Sequence, residues 1–371
     1  MKYYIVAGEA SGDLHGSNLM KAIAKEDPSA DFRFWGGDLM QAVGGTLVMH
    51  YKERAFMGFI EIIMNLRKIL GMISFCKKDI AEFQPDVVIF IDNSGFNLRV
   101  AKWAKEAGFR TNYYISPQVW ASRAGRVQKI KRDIDAMFVI LPFEKDFYKK
   151  YDYDVHFVGH PLLDAIADRK PVDDTTFRTE HGLDERPIIA LLPGSRKQEI
   201  TKMLSVMLSV VDDFSEYQFV IAGAPSQEKS FYDQFIQDTN VHFISNKTYG
   251  VLSAATAALV TSGTATLETA LYKVPQVVCY KANTISYQIA KRIITLDFIS
   301  LVNLIMDREV VKELIQHDFN TQNLKKELTR ILDENERTQL FEDYFELEQK
   351  LGGKGASRNA ARLICDAIQK Q

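Results

Sequence analysis

The residues able to do chemistry sit in a few short turns. In V-V-I-F-I-D-N-S-G-F-N, residues 87–97, Asp92 ends an apolar run that reads as a buried strand. A carboxylate there is costly to dehydrate unless it has partners or a proton to move. It could take the proton of an attacking hydroxyl. The plainer alternative is a cap for the helix that starts near Phe96. A second turn, A-G-E-A-S-G-D-L-H-G at 7–16, carries Glu9 and Asp13, with Gly8 and Gly12 allowing a tight bend. It is not a G-x-G-x-x-G loop, and two acids suit hydroxyl groups or proton transfer better than a pyrophosphate. Here the alternative is a capped strand–turn–helix, with Ser11 or Asp13 as the cap.

Two further turns suit a nucleoside diphosphate. I-I-A-L-L-P-G-S-R at 188–196 offers a Gly-Ser bend at a helix start and the fixed charge of Arg196. It lacks the Lys and spacing of a Walker A loop. In T-S-G-T-A-T-L-E-T-A at 261–270, Gly263 and Thr264 open a helix, and Glu268 could accept hydrogen bonds from a ribose diol. A third stretch, Y-Y-I-S-P-Q-V-W-A-S-R at 113–123, offers Trp120 as a flat surface for a sugar or acyl chain. Arg123, Arg126, Lys129 and Arg132 recur every three residues, as a phosphate partner or a solvated basic face. His156 and His160 are spaced H-x-x-x-H in a strand and turn, where they would not share a helix face, and no D-x-D pair stands at a strand end. No metal and no cofactor is expected. A helix dipole with Arg196 could neutralise a leaving diphosphate.

The elements that must hold these turns alternate strand and helix, twice. Strands are expected at Tyr3–Ala7, Phe32–Trp35, Val87–Ile91, Asn112–Ile115 and Ala136–Ile140, with helices such as Leu98–Ala107 and Phe143–Tyr151 between them. A polar stretch with Pro171, Gly182 and Pro187 reads as a hinge. A second series follows at Ile188–Leu192, Phe219–Ala222, His242–Ile244, Ala257–Val260 and Gln276–Tyr280. From about Thr321 the chain reads as helical, broken at Gly352 and Gly353. The expected fold class is α/β, with two doubly wound Rossmann-like domains, 1–165 and 166–345, facing across a cleft, and a helical tail, 346–371, packing back on the first domain. In such sheets ligands sit at the carboxyl ends of strands, where the turns above fall.

Composition bounds the partners. The 371 residues carry a formal net charge of −2, which argues against nucleic acid. Three scattered cysteines fit a reducing cytoplasm, and the N-terminus lacks the apolar core of a signal peptide. One stretch, 55–76, is strongly apolar, but Glu61, Asn65, Arg67 and Lys68 make it a poor membrane span. It reads as a buried helix or as one lying on a lipid surface through Ile62, Met64, Leu66, Ile69, Leu70 and Ile73.

Several strings run in order: GEASGD at 8–13, ID-N-S-GFN at 91–97, SPQVWA at 116–121, LPFEK at 141–145, GHP at 159–161, LLPGSR at 191–196, SGTATLE at 262–268 and SL-V-NL at 300–304. Together they resemble the bacterial lipid-A-disaccharide synthase family over nearly the whole chain. The resemblance implies a GT-B fold and an inverting glycosyl transfer. UDP-2,3-diacylglucosamine and 2,3-diacylglucosamine 1-phosphate would give a β-1,6 disaccharide 1-phosphate and UDP. It implies a peripheral protein on the cytoplasmic face of the inner membrane. By motif, Gly194, Ser195, Arg196, Ser262, Gly263, Thr264 and Glu268 would hold UDP, with Asn303 and Glu309 also near the donor. Ser11, Gly12, Asn97, Ser116, Gln118, Trp120 and Arg123 would face the acceptor. Asp92 is the expected base, with Glu9 or Asp13 as runner-up. One departure stands out. Many relatives read I-D-x-P-D-F-N, where this chain has Ser94 and Gly95. The rivals are another UDP-sugar enzyme on the same architecture (a 2-epimerase or a lipid-acceptor transferase) and a nucleotide-sugar binding protein without catalysis. A homodimer exchanging its tail is also left open.

Overall fold

A computed structural model describes residues 1–54, 66–122, 124–169, 171–237, 239–283, 287–288 and 296–369. The chain divides into Met1–Ala167 with Leu351–Gln371, and Asp168–Lys350. The expected divisions were 165/166 and 345/346.

The first unit holds a seven-stranded sheet. Its strands are β1 (Lys2–Ala7), β2 (Asp31–Gly36), β3 (Thr46–His50), β4 (Val87–Ile91), β5 (Thr111–Tyr114), β6 (Ala136–Val139) and β7 (His156–Phe157), in the order β3-β2-β1-β4-β5-β6-β7. β4 is buried along its whole length, as a central parallel strand with covered faces must be. Side chains alternate between two cores. Tyr4, Val6, Val88, Phe90 and Tyr113 pack on one face, and Tyr3, Ile5, Ala7, Ile89 and Tyr114 on the other. The tail helix Ala356–Gln369 closes the second face, burying Ala360, Ala361, Ile364 and Cys365. Asp164 fastens its start, accepting hydrogen bonds from the amides of Gly355 (2.5 Å) and Ser357 (3.4 Å).

The other face is covered in part by the helix Leu66–Phe83, which buries Met72, Ile73, Cys76 and Ile80. A buried polar network fixes it to the sheet. Tyr4 donates to Asp79 at 2.7 Å, Trp35 donates to Tyr4 at 2.8 Å, and Arg33 Nε reaches Asp79 at 2.8 Å. Asp79 is nearly fully buried, so breaking its pair with Arg33 would cost on the order of 3 kcal/mol. This corrects part of the expected lipid-facing set. Ile73 is core and Ile69 packs against that core, because the apolar stripe of this helix covers the sheet. Leu70 is 53% exposed, and Phe75, though 45% exposed, has its ring 6.0 Å from that of the buried Trp35. Ile62, Met64 and the side chain of Leu66 lie outside the described residues. No helix among the described residues is long and apolar enough to cross a membrane.

The second unit holds six strands: β8 (Ile188–Leu192), β9 (Gln218–Gly223), β10 (Val241–Ser245), β11 (Ala255–Thr261), β12 (Gln276–Tyr280) and β13 (Lys312–Ile315), in the order β10-β9-β8-β11-β12-β13. β3 and β13 were not foreseen. Both are edge strands, and K-E-L-I has neither an apolar run nor strict alternation. The basic residues 123–132 do not lie on one helix. The segment splits into Val119–Ser122, a 3-10 turn at Ala124–Arg126 and Val127–Asp133, and Arg132 pairs with Asp133. Arg123 lies outside the described residues.

Candidate active site

Every strand pair in the first sheet is parallel, so every strand-to-helix turn opens on the same edge. From β1 the chain goes to β2 on one side, while β4 lies on the other, which makes β1/β4 the topological switch point. Ala7 pairs with Ile91 across it, so the turns carrying Glu9 and Asp92 stand side by side.

The β4 turn is strained. Asp92 and Asn93 both take left-handed backbone, φ +45° and +42°, which non-glycine residues avoid. Three bonds hold it. Asn97 Nδ2 and the Tyr113 hydroxyl donate to the Asp92 carbonyl, the former at 2.8 Å, and the Asp92 amide donates to Tyr114 O at 3.3 Å. Gly8 makes room for Asn93, since a Cβ on it would fall 1.9 Å from Asn93 Nδ2 and 2.9 Å from Asn93 Cβ. Asp92 itself is exposed. Crowding of its carboxyl by protein atoms raises its pKa, the negative charge of Glu9 raises it further, and the Asn93 amide opposes both. Glu9 is exposed at the N-cap of the helix Ala10–Glu26.

Several expected acceptor residues do other work. Asp13 is buried and accepts from the amides of Gly37 (2.8 Å), Leu39 (3.0 Å) and Met40 (3.0 Å), anchoring the helix Asp38–Val43. With both oxygens so engaged, it is no free base. Asn97 is fully buried, and besides Asp92 its Nδ2 reaches Ile91 O (3.1 Å) and Val6 O (3.3 Å), so it positions the turn from beneath. Ser116 is buried against the Tyr148 hydroxyl at 2.8 Å. Gly12 packs on Ala7, its site for a Cβ 3.2 Å from the Ala7 Cβ. Ser11 and Gln118 are exposed, and Trp120 is half-buried, edge-on to Phe143 at 4.9 Å. Sequence reading missed Glu144 of the L-P-F-E-K string. Burial raises it to about 7, against hydrogen bonds from the Leu141 and Ile140 amides at 3.0 and 3.2 Å.

The second sheet repeats the logic at β8/β11, its own switch point. The P-G-S-R turn follows β8 and the S-G-T turn follows β11. Gly194 has φ +107°, a conformation open to glycine. Ser195 O accepts from Ser226 Oγ and Gln227 Nε2, both at 3.0 Å. Arg196 is the N-cap of Lys197–Leu208, with an exposed side chain that reaches Glu199 at 3.2 Å. Ser262 Oγ donates to Ile299 O at 2.9 Å, while Gly263 and Thr264 begin the helix Thr264–Leu271. Glu268 sits half-buried on that helix. Dehydration raises its pKa, while the Tyr249 hydrogen bond and the Arg169 charge lower it.

Asn303 is not a donor ligand. Its amide donates to Val311 O and Glu313 Oε1, both at 2.9 Å, and its oxygen accepts from the Val310 and Val311 amides. Every hydrogen-bonding position is used, and the residue is fully buried. It pins the loop before β13. Glu309 is exposed and pairs with Lys312 at 3.2 Å. Among the described residues no group of three or more His, Cys, Asp or Glu could hold a metal. A cavity of about 890 Å³ lined by Trp103, Phe109, Arg110 and His156 opens at the amino ends of the first sheet's strands, the edge opposite the turns above.

Comparison with known proteins decides the family. The lipid-A-disaccharide synthetase profile matches residues 3–366. The chain belongs to that family. The lipid-A-disaccharide synthase of Syntrophus aciditrophicus is 40% identical over 99% of this chain and 97% of its own length. That of Idiomarina loihiensis is 38% identical over 98% and 97%. The chain is accordingly a glycosyltransferase, with a UDP-sugar donor and a lipid acceptor. Solved structures agree on the fold. The Neisseria meningitidis UDP-GlcNAc 2-epimerase bound to UDP-GlcNAc superposes with a TM-score of 0.67 over all of both chains, at 14% identity. The glycotransferase of kitacinnamycin gives 0.66 over 99% of both, at 15%. At those identities they speak for the two-domain architecture alone, and the sequence relatives disfavour an epimerase.

A buried clamp and a surface pair predict different phenotypes. Asn303→Leu strands the Val310 and Val311 amides and should lower stability by about 3 kcal/mol, at roughly 1–3 kcal/mol per buried unpaired group. Glu309→Ala should change it by less than about 1 kcal/mol. Urea denaturation reads both, and an unmoved midpoint for Asn303→Leu contradicts the clamp.

Proposed function

We propose that Asp92 is the general base of an inverting transfer. The 2,3-diacylglucosamine of a UDP donor passes to the 6-hydroxyl of 2,3-diacylglucosamine 1-phosphate, releasing UDP and forming the β-1,6 disaccharide 1-phosphate. The observation that carries this reading is the placement of the motifs. The acidic turns flank the switch point of one sheet, and the P-G-S-R and S-G-T turns flank that of the other.

The chemistry follows from the environments. A carboxyl with a raised pKa is a stronger base than a fully solvated one, so Asp92 can accept the hydroxyl proton as the carbon–oxygen bond forms. The bond from the anomeric carbon to the diphosphate breaks in the same step. Negative charge grows on UDP, where Arg196 and the amides at two helix starts are poised to stabilise it. Arg196 leaves its exposed pair with Glu199 at a cost of about 0–1 kcal/mol. Holding both sugars in place replaces a bimolecular encounter by a positioned one.

Acyl-chain substrates place the reaction at a lipid surface, and we assign the chain to the cytoplasmic face of the inner membrane as a peripheral protein. The support is Leu70 and Phe75, exposed on a helix whose first turn carries Arg67.

Two experiments test this. With radiolabelled diacylglucosamine 1-phosphate and the diacyl UDP donor, the protein should yield disaccharide and UDP. Asp92→Asn should lower turnover by about a hundredfold or more with UDP affinity kept. A Cβ on Gly95 meets nothing within 4 Å, so Gly95→Asp should fold without raising the rate. Near-normal turnover by Asp92→Asn would sink the assignment. For the surface, Leu70→Ser/Phe75→Ser should reduce co-sedimentation with anionic vesicles, and unchanged sedimentation would count against it.

A further inference from the structure

Glu268 does not stand alone. Tyr249, on the helix Thr248–Ala254, donates its hydroxyl to Glu268 Oε1 at 2.6 Å. The Arg169 guanidinium lies over the Tyr249 ring, 3.7 Å from its centroid. The Tyr272 ring stacks on the same ring, centroids 5.5 Å apart and planes at 22°. Two segments distant in sequence, at Arg169 and at Glu268–Tyr272, thus converge on one phenol, and the phenol holds one carboxylate oxygen.

From this geometry we propose that Tyr249, supported by Arg169, is a positioning residue for the donor site, holding Glu268 so that the site selects a ribonucleotide over its 2′-deoxy analogue. The proposal rests on the reading that Glu268 accepts the ribose hydroxyls. A glutamate has three side-chain torsions, and a diol is bound well only by a carboxylate that is already oriented. Tyr249 fixes Oε1 and leaves Oε2 to take the hydroxyls. Arg169 acts on both ends of the bond. Its charge favours the ionised carboxylate, and its stacking restrains the ring that carries the donor. Tyr272 completes the set of groups that bear on the pair.

The test is calorimetric binding of UDP and of 2′-deoxy-UDP to the wild type, Glu268→Gln, Tyr249→Phe and Arg169→Gln, each checked by thermal melting. The wild type should prefer UDP by about tenfold or more, as a site built for a hydroxyl does. Tyr249→Phe should shrink that preference about fivefold, the worth of one hydrogen bond. Arg169→Gln, at an exposed position, should shrink it two- to threefold, about the worth of an exposed cation–ring contact. A preference unchanged in Glu268→Gln overturns the ribose reading itself. A preference lost in Glu268→Gln but kept in Tyr249→Phe overturns the positioning role alone. So does an equal loss of affinity for both nucleotides in Tyr249→Phe, which marks a merely structural tyrosine. A preference unchanged in Arg169→Gln removes the arginine from the proposal.

Discussion

Parallel pairing is the constraint from which the candidate site follows. Among the described residues every strand pair in both sheets is parallel, so each returning connection must cross a face and each forward turn must open on one edge. Where the chain order splits, at β1/β4 and β8/β11, the neighbouring strands send their connections to opposite sides, which opens a crevice at that edge. Those two crevices collect the acidic pair in one unit and the two anion-suited turns in the other. Burial on both faces makes this arrangement rigid. Tyr3 and Tyr4, neighbours in sequence, lie in opposite cores, and each ties its strand to a covering element.

Against that rigidity, the Asp92–Asn93 turn stores strain. Two consecutive left-handed residues that are not glycine cost roughly 1–3 kcal/mol each. Buried groups beneath offset this cost: Asn97 spans three carbonyls and Tyr113 caps one of them. The same device recurs elsewhere. Asp13 gathers three amides, Asn303 gathers two amides and two acceptors, and Glu313 receives the Ile299 and Ser300 amides at 2.9 Å. Buried polar side chains shape the loops, and beside them Glu9, Asp92 and Arg196 remain exposed.

This division explains what the sequence could show. β4, β8 and β12 were legible to the residue because a buried parallel strand is a continuous apolar run. β3 and β13 were not, because an edge strand has only part of that signal. The strand-end positions of Asp92 and Glu9 were legible from the apolar runs before them. Asp13 and Asn303 were read as ligand-facing because a motif shows which polar residues matter and not which way they face. The helix Leu66–Phe83 poses the same problem in apolar form. One periodicity suits both a core stripe and a lipid-facing stripe, and only packing separated Ile73 from Leu70. Tyr249 left no local trace, lying 19 residues from the carboxylate it holds.

The proton affinity of Asp92, the base we propose, is raised by protein atoms around its carboxyl and by Glu9. The direct measurement is the single-turnover rate of sugar transfer against pH, for the wild type and for Glu9→Gln. A base must be ionised to act, so the rate should fall as the pH drops through the raised pKa of Asp92. Removing the negative charge of Glu9 lowers that pKa, so the acid limb of Glu9→Gln should move to lower pH. Superimposable acid limbs in the two proteins, or no acid limb at all, would contradict the account.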